Sequence, residues 1–225
     1  AGYCVHTIYL TAGDAGHDSF YWLGRERGAQ EAYQSIIGKP TTWIERTIQL
    51  KGGQFVTQAN PRGNNNIKLL FMHLPDGNLR SNGFAANNFA SLAKLDNDQI
   101  KTISSVDRLS TYTREDIVTG LTELFAALRP TVIRTQSSTD TGVKIHDHSD
   151  HLAVGRLVRA AYIRYEASAF ANKLMIPLEY YTGYSIAEAP SNVAGEELAA
   201  KERAFFAYAE HDPAACRPEQ PCWQT

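Results

Sequence analysis

No apolar run in the sequence approaches the roughly 20 residues that a membrane-spanning helix requires. Net charge is scarce too: 22 basic residues stand against 24 acidic ones, for a formal balance of -2. That balance gives no electrostatic case for nucleic acid or for an anionic membrane surface. Internal repeats and low-complexity tracts are absent. So are the signatures of phosphate binding: the strand-like run ending at Leu10 leads into Thr11-Ala12-Gly13-Asp14-Ala15-Gly16, which contains neither GxGxxG nor a P-loop lysine. Cysteine numbers only three. Cys4 falls in an apolar run and is expected to be a buried, inert thiol. Cys216 and Cys222 bracket Arg217-Pro218-Glu219-Gln220-Pro221. That spacing suits a disulfide closing a short loop, hence an extracellular or secreted protein, with two free thiols as the alternative. The chain opens at Ala1 with neither Met nor signal peptide, so a mature or trimmed product is expected.

What is present describes a globular domain: 225 residues, 43% hydrophobic and 20% charged, with no shift in composition that marks a second unit. Residues 3–10 read as a strand, 22–37 as a helix stopped by Gly38 and Pro40, and 43–50 with 55–59 as a hairpin around Gly52-Gly53. The Asn-rich stretch 60–66 is loop, and 67–74 is an apolar strand delivered into Pro75-Asp76-Gly77-Asn78. Residues 79–110 carry little signal beyond a weak strand near 100–103. A helix with acidic first-turn residues runs from Thr113 to Leu128, and 131–135 reads as a buried strand. Leu157, Val158, Ala161, Tyr162 and Tyr165 repeat at helical spacing within 152–168. Pro177 makes 174–181 an edge strand, and Ser191 or Asn192 can cap a last helix over 195–210. Strands alternating with helices predict an α/β fold: a Rossmann-like three-layer sandwich with a mainly parallel sheet. The loops at 11–16, 75–78 and 137–151 are expected on one edge of it.

The densest chemistry lies in His146-Asp147-His148-Ser149-Asp150-His151, between a predicted strand and a predicted helix. Imidazole and carboxylate are the groups that bind zinc and move protons near neutral pH. With a helix starting near Ser149 or Asp150, His148 and His151 lie one turn apart at its positive end. The competing reading is a solvated turn in which Asp147 and Asp150 merely cap the helix.

Taken together, these elements resemble the PIG-L/LmbE family of zinc-dependent sugar N-deacetylases over nearly the whole chain. Thr11-Ala12-Gly13-Asp14-Ala15-Gly16 resembles that family's T-x-G-D-x-G turn, His148-Ser149-Asp150-His151 its H-x-D-H motif, and Leu74-Pro75-Asp76-Gly77 its D-G loop. The fuller Asp-His-Ser-Asp-His form, with Tyr181-Thr182-Gly183-Tyr184 and Tyr208-Ala209-Glu210-His211-Asp212, is most similar to secreted actinobacterial or fungal members.

The resemblance implies a metal-dependent hydrolase that removes the acetyl group from an N-acetylglucosamine-type sugar or glycan. It makes His151 a zinc ligand and His148 the group that stabilises the oxyanion or protonates the leaving amine. Asp150 orients His148, while Asp76 and Arg25 contact sugar hydroxyls. Arg25 departs from the family pattern, since Gly28 stands where R-x-x-E has its glutamate. The family's A-H-P-D-D motif, with two further zinc ligands and the general base, has no counterpart in residues 1–225. It belongs on a central strand, so a fragment or nicked protein lacking its first strand is expected, its partner being an N-terminal fragment of the same protein. One imidazole alone does not hold zinc tightly; chelation by His146, His148 and His151 together is the competing arrangement. A non-catalytic glycan-binding relative is the alternative function, with Trp22, Tyr181 and Tyr184 stacking on sugar rings.

Overall fold

A computed structural model describes residues 3–168, 175–217 and 220. β1 (Val5–Thr11) enters the glycine turn, and α1 (Ser19–Ile37) comes next. α1 starts earlier than apolar spacing indicates, because the Asp18 side chain caps it by accepting from the N–H groups of Phe20 and Tyr21 at 3.1 and 3.4 Å. Gly38 ends it in the left-handed conformation at φ 74°. β2 (Trp43–Gln49) and β3 (Phe55–Pro61) form the expected hairpin, and β4 (Ile67–Leu74) completes a sheet in the order β1-β4-β3-β2.

This sheet corrects the expectation of a mainly parallel one. Only β1–β4 is parallel; β2–β3 and β3–β4 are antiparallel. The reason is chain length. A parallel crossover needs a dozen or more residues, and only residues 62–66 separate β3 from β4. After β4 come a short 3₁₀ turn (Ala85–Asn87), α2 (Leu92–Asp96) and the two-residue strands β5 (Ile103–Ser104) and β6 (Thr111–Tyr112). Residues 79–110, opaque in the sequence, are therefore mostly turns. α3 (Arg114–Leu128) opens with a capping box in which Thr113 and Asp116 satisfy each other's N–H groups. β7 (Ile133–Gln136) and β8 (Leu178–Tyr181) form a separate parallel pair, with α4 (Ser149–Ala167) between them in the chain. α5 (Gly195–Ala209) packs along α1.

Alternation along β4 sorts its side chains to two faces. Leu70, Met72 and Leu74 join Ile117 and Leu121 of α3 and Leu157 and Ala161 of α4 in the main core. Leu69 and Phe71 face the other way, against Ala59 and Ala29 of α1. Helices thus cover both faces of a mixed sheet. Two local readings change. Cys4 is free but exposed, because it precedes β1 at the sheet's open end, where its thiol faces Asn66 Oδ1 at 3.7 Å. α5 is preceded by Ala194 without a side-chain cap, and Ser191 bonds the Val193 carbonyl instead. Leu174 and the expected Cys216–Cys222 bond, through Cys222, lie outside the described residues.

Near its end β4 carries one residue more than β1: Tyr9 pairs with Phe71, but Thr11 pairs with Leu74. At this bulge His73 takes a left-handed φ of 56°, which costs a non-glycine residue about 1–2 kcal/mol. Its ring lies between two carboxylates, Nε2 to Glu26 Oε1 at 2.7 Å and Nδ1 to Asp107 Oδ2 at 2.8 Å. Burial opposes the imidazolium, yet the bonds to Asp107 and Glu26 outweigh it and raise His73 to about 9. Asp107 drops to about 2 despite partial burial, because His73, Ser105 and the Leu109 N–H all bond its carboxylate. Glu26 is pushed upward by its burial, so Asp107 is the firmer ionic partner.

Stability should follow these shifts. A raised histidine contributes fully below its unfolded value of 6.5, and that contribution is lost as pH rises through about 9. A depressed aspartate contributes above its unfolded 3.8 and loses its contribution as pH falls through about 2. The urea midpoint is therefore expected to fall between pH 6.5 and 9, and Asp107→Asn to flatten that fall. Identical slopes for the two proteins would assign the loss to another group.

Candidate active site

Three turns meet where β1, β4 and α4 end or begin. The Asp14 carboxylate, buried in the glycine turn, accepts the Asp76 N–H at 2.7 Å, Asn87 Nδ2 at 2.8 Å and the Gly16 N–H at 3.1 Å. The turn after β1 is thereby fastened to the turn after β4. Asp150, in the first turn of α4, accepts the Gly77 N–H at 2.8 Å. Gly77 has to be glycine, since a Cβ there would lie 2.5 Å from Asp150 Oδ1 and 2.6 Å from Ser91 Cβ.

His148 is the N-cap of α4, and its Nδ1 accepts the Asp150 N–H at 3.1 Å. That bond requires the neutral tautomer with its proton on Nε2, which faces Asp76 Oδ1 at 3.6 Å. The Asp150 carboxylate lies 3.9 Å from His148 Nδ1, beyond hydrogen-bond range. It is thus the amide of Asp150, more than its carboxylate, that orients His148. Asp147 is neither the cap nor a solvated turn residue. Its Oδ1 accepts the His148 N–H, His151 Nδ1 at 2.8 Å and the Tyr184 N–H at 3.0 Å, and its Oδ2 accepts the Gly183 N–H at 2.9 Å. With Nδ1 donating to Asp147, His151 turns its Nε2 lone pair outward. The two imidazoles stand 5.3 Å apart, with Tyr184 edge-on to both at 5.3 and 6.1 Å.

These environments set the protonation states. Burial lowers His148, His151 lowers it further, and the carboxylates of Asp76 and Asp147 only partly compensate. Burial raises Asp150 to about 7, helped by neighbouring Asp76 and opposed by the N–H groups of Gly77, Ala93 and Leu92. Asp147 goes the other way: burial would raise it, but the bonds from His151, Tyr184, His148 and Gly183 hold it below the usual carboxylate range.

His148, Asp150, His151 and Asp76 are therefore brought together. Arg25 places Nη1 on the Gly13 carbonyl at 2.8 Å and Nε near Tyr208 Oη at 3.0 Å and Asp212 Oδ2 at 3.3 Å, which fastens the glycine turn. His146 is exposed and pairs with Asp140, so it does not join His148 and His151 around a common point. Trp22 packs against His73 and is buried, unavailable for stacking on a sugar, whereas Tyr181 and Tyr184 remain half exposed. Sequence reasoning missed Asp147 as an orienting group. The four-residue spacing of Asp147 and His151 was the available signal; the contribution of Gly183 left none.

Among the described residues, the side chains placed to share a metal ion are Asp76, His148 and Asp150, whose ligand atoms lie within 4.8 Å of one another. A family model described as PIG-L, GlcNAc-PI de-N-acetylase, matches residues 1–162. Neither the curated proteins nor the solved structures provide a significant match.

A Cβ on Gly183 would fall 2.2 Å from Asp147 Oδ1 and 2.4 Å from His151 Nδ1. Gly183→Ala is expected to break the Asp147–His151 bond and to lower stability by about 1–3 kcal/mol. Urea unfolding measures the second effect, and the His151 ring signals in an NMR spectrum the first. Ring signals unmoved by the substitution would contradict the orienting role of Asp147.

Proposed function

The chain belongs to the PIG-L, GlcNAc-PI de-N-acetylase, family, and from that premise we propose that it is a zinc-dependent hydrolase removing the acetyl group from an N-acetylglucosamine-type sugar or glycan. The observation that carries the reading is the Asp147–His151 bond. A metal-binding histidine characteristically donates its other ring N–H to a carboxylate, and this bond leaves Nε2 of His151 as a free donor atom. His151 would hold the metal. Zinc bound there would polarise the acetyl carbonyl and lower the pKa of a water towards about 7.

The chain's own residues supply the rest. His148 carries its Nε2 proton into the site. It can donate a hydrogen bond to the oxygen that becomes negative when water attacks the carbonyl carbon. As the C–N bond breaks, the sugar nitrogen takes up the proton that the attacking water gives up, releasing acetate and a free amine. The lowered pKa of His148 keeps it in that neutral, Nε2-protonated form. Asp150 holds His148 through its amide and the Gly77 turn through its carboxylate. Asp76, beside His148 Nε2, is placed to accept from a substrate hydroxyl.

One imidazole falls short of the three protein ligands usual at a catalytic zinc. The remaining ligands are proposed to come from a segment outside residues 1–225. Supporting this, among the described residues β1 stands at the edge of its sheet and β7 and β8 pair only with each other. Buried Thr135 Oγ1 and Gln136 Oε1 also lack hydrogen-bond partners among the described residues. Secretion is proposed on the Cys216 and Cys222 spacing. A second reading places the metal between Asp76, His148 and Asp150, on their proximity and on Asp150 Oδ1, buried without a hydrogen-bond partner among the described residues.

Zinc content and amine release from an N-acetylglucosaminyl substrate, assayed with the upstream segment present, test these readings. His151→Ala is expected to lose both metal and activity. His148→Ala should keep the metal and slow turnover on the order of 10²-fold or more. Zinc lost in Asp76→Asn but kept in His151→Ala would establish the second arrangement. Residues 1–225 alone should lose zinc on dialysis; stoichiometric retention would put the whole ligand set within this chain. Sugar binding without amine release in the completed protein would identify a glycan-binding relative.

A further inference from the structure

We propose that His73 is a positioning residue, gripped by Glu26 and Asp107 so that the bulge in β4 aims the Pro75-Asp76-Gly77 turn at Asp14 and Asp150. The proposal rests on the functional reading only in counting Asp76 and His148 as site residues. Its first support is the bulge itself. An extra residue in one strand bends the chain and redirects the residues beyond it, and such bulges are over-represented beside active sites. Here the extra residue falls between Phe71 and Leu74, and His73 holds the left-handed conformation there.

The second support is the number of independent elements that hold this one residue. Its Nε2 meets Glu26 of α1, and its Nδ1 meets Asp107 in the segment between β5 and β6. Its carbonyl accepts the Val106 N–H at 2.8 Å, and its ring stands 5.0 Å from that of Trp22. Asp107 is itself fixed by Ser105 Oγ and the Leu109 N–H. A residue hydrogen-bonded at Nδ1 and at its carbonyl, with a carboxylate against Nε2, resists rotation of its peptide.

The third support is proximity along the chain. Immediately after His73, the Leu74 carbonyl accepts the Ala12 N–H, the Asp76 N–H reaches Asp14 and the Gly77 N–H reaches Asp150. A change in the backbone at His73 must be absorbed within these few residues. Adjacent residues of α1 grip the two turns separately, Arg25 through the Gly13 carbonyl and Glu26 through His73.

A network that only stabilised the core would behave differently from one that aims a turn, and amide hydrogen exchange separates them without any activity measurement. In Asp107→Asn, the amides of Asp76 and Gly77 are expected to exchange on the order of tenfold faster or more, while the central amides of α4 keep their protection. The His148 ring signals should shift in the same sample. His73→Asn provides a second variant. Asparagine also tolerates the left-handed region but is too short to reach both carboxylates, so the same local pattern is expected. Unchanged protection at Asp76 and Gly77, or a uniform loss of protection through all the helices, would overturn the proposal. Failure of the deacetylase assay with this exchange pattern intact would count against the proposed function alone.

Discussion

Three buried aspartates, Asp14, Asp147 and Asp150, each accept a backbone N–H from a loop other than their own, and the shape of the site depends on those bonds. A carboxylate taken out of water is costly unless hydrogen bonds replace its hydration. Each aspartate therefore has a strong reason to keep its loop in place. Where the carboxylate is held ionised, as at Asp147, bonds from N–H groups are also about twice as strong as neutral ones. The resulting joints fasten the turn after β1 to the turn after β4, that turn to α4, and α4 to the segment after β8. Glycine is the complement of this design. At Gly77 and Gly183 a side chain would occupy the space the carboxylates need.

The same joints separate the protonation states of two neighbouring carboxylates. Asp147 and Asp150 lie three residues apart in the sequence, yet one is held down and the other pushed up to about 7. The difference is in partners. Asp147 collects three backbone N–H groups and an imidazole N–H, whereas Asp150, more deeply buried, sits close to Asp76. Pairs of titratable groups driven apart in this way mark the division of labour at many hydrolytic sites. Here the ionised member steadies His151, and the neutral-leaning member lies beside His148, which burial keeps neutral.

α1 connects this chemistry to the scaffold. Its consecutive residues Arg25 and Glu26 hold, respectively, the glycine turn and the bulged end of β4. Tyr208 and Asp212, at the end of α5 and beyond it, hold Arg25. Residues far apart in the sequence thus set two of the turns that meet at the site. The mixed sheet serves the same end, because the parallel β1–β4 pair delivers both turns at one edge.

Much of this was legible in local sequence. The strands before the glycine turn and the Asp76 turn, the helices α3 and α4, and the cluster from His146 to His151 all announce themselves by periodicity, caps and residue type, which depend on near neighbours. The short 62–66 connection even contained the antiparallel β3–β4 pairing, although the alternation of strands and helices pointed to a parallel sheet. Tertiary structure alone decided the rest: that Gly183 and Tyr184 fasten Asp147, that Arg25 bonds the glycine turn, that Trp22 is buried and Cys4 exposed, and that Glu26 and Asp107 enclose His73. Those outcomes depend largely on partners distant along the chain, 34 residues away for His73 with Asp107 and 183 for Arg25 with Tyr208. No periodicity encodes such a pairing. It arises only when the packed core brings two distant carboxylates, hydroxyls or N–H groups within reach and removes the water that would otherwise satisfy them.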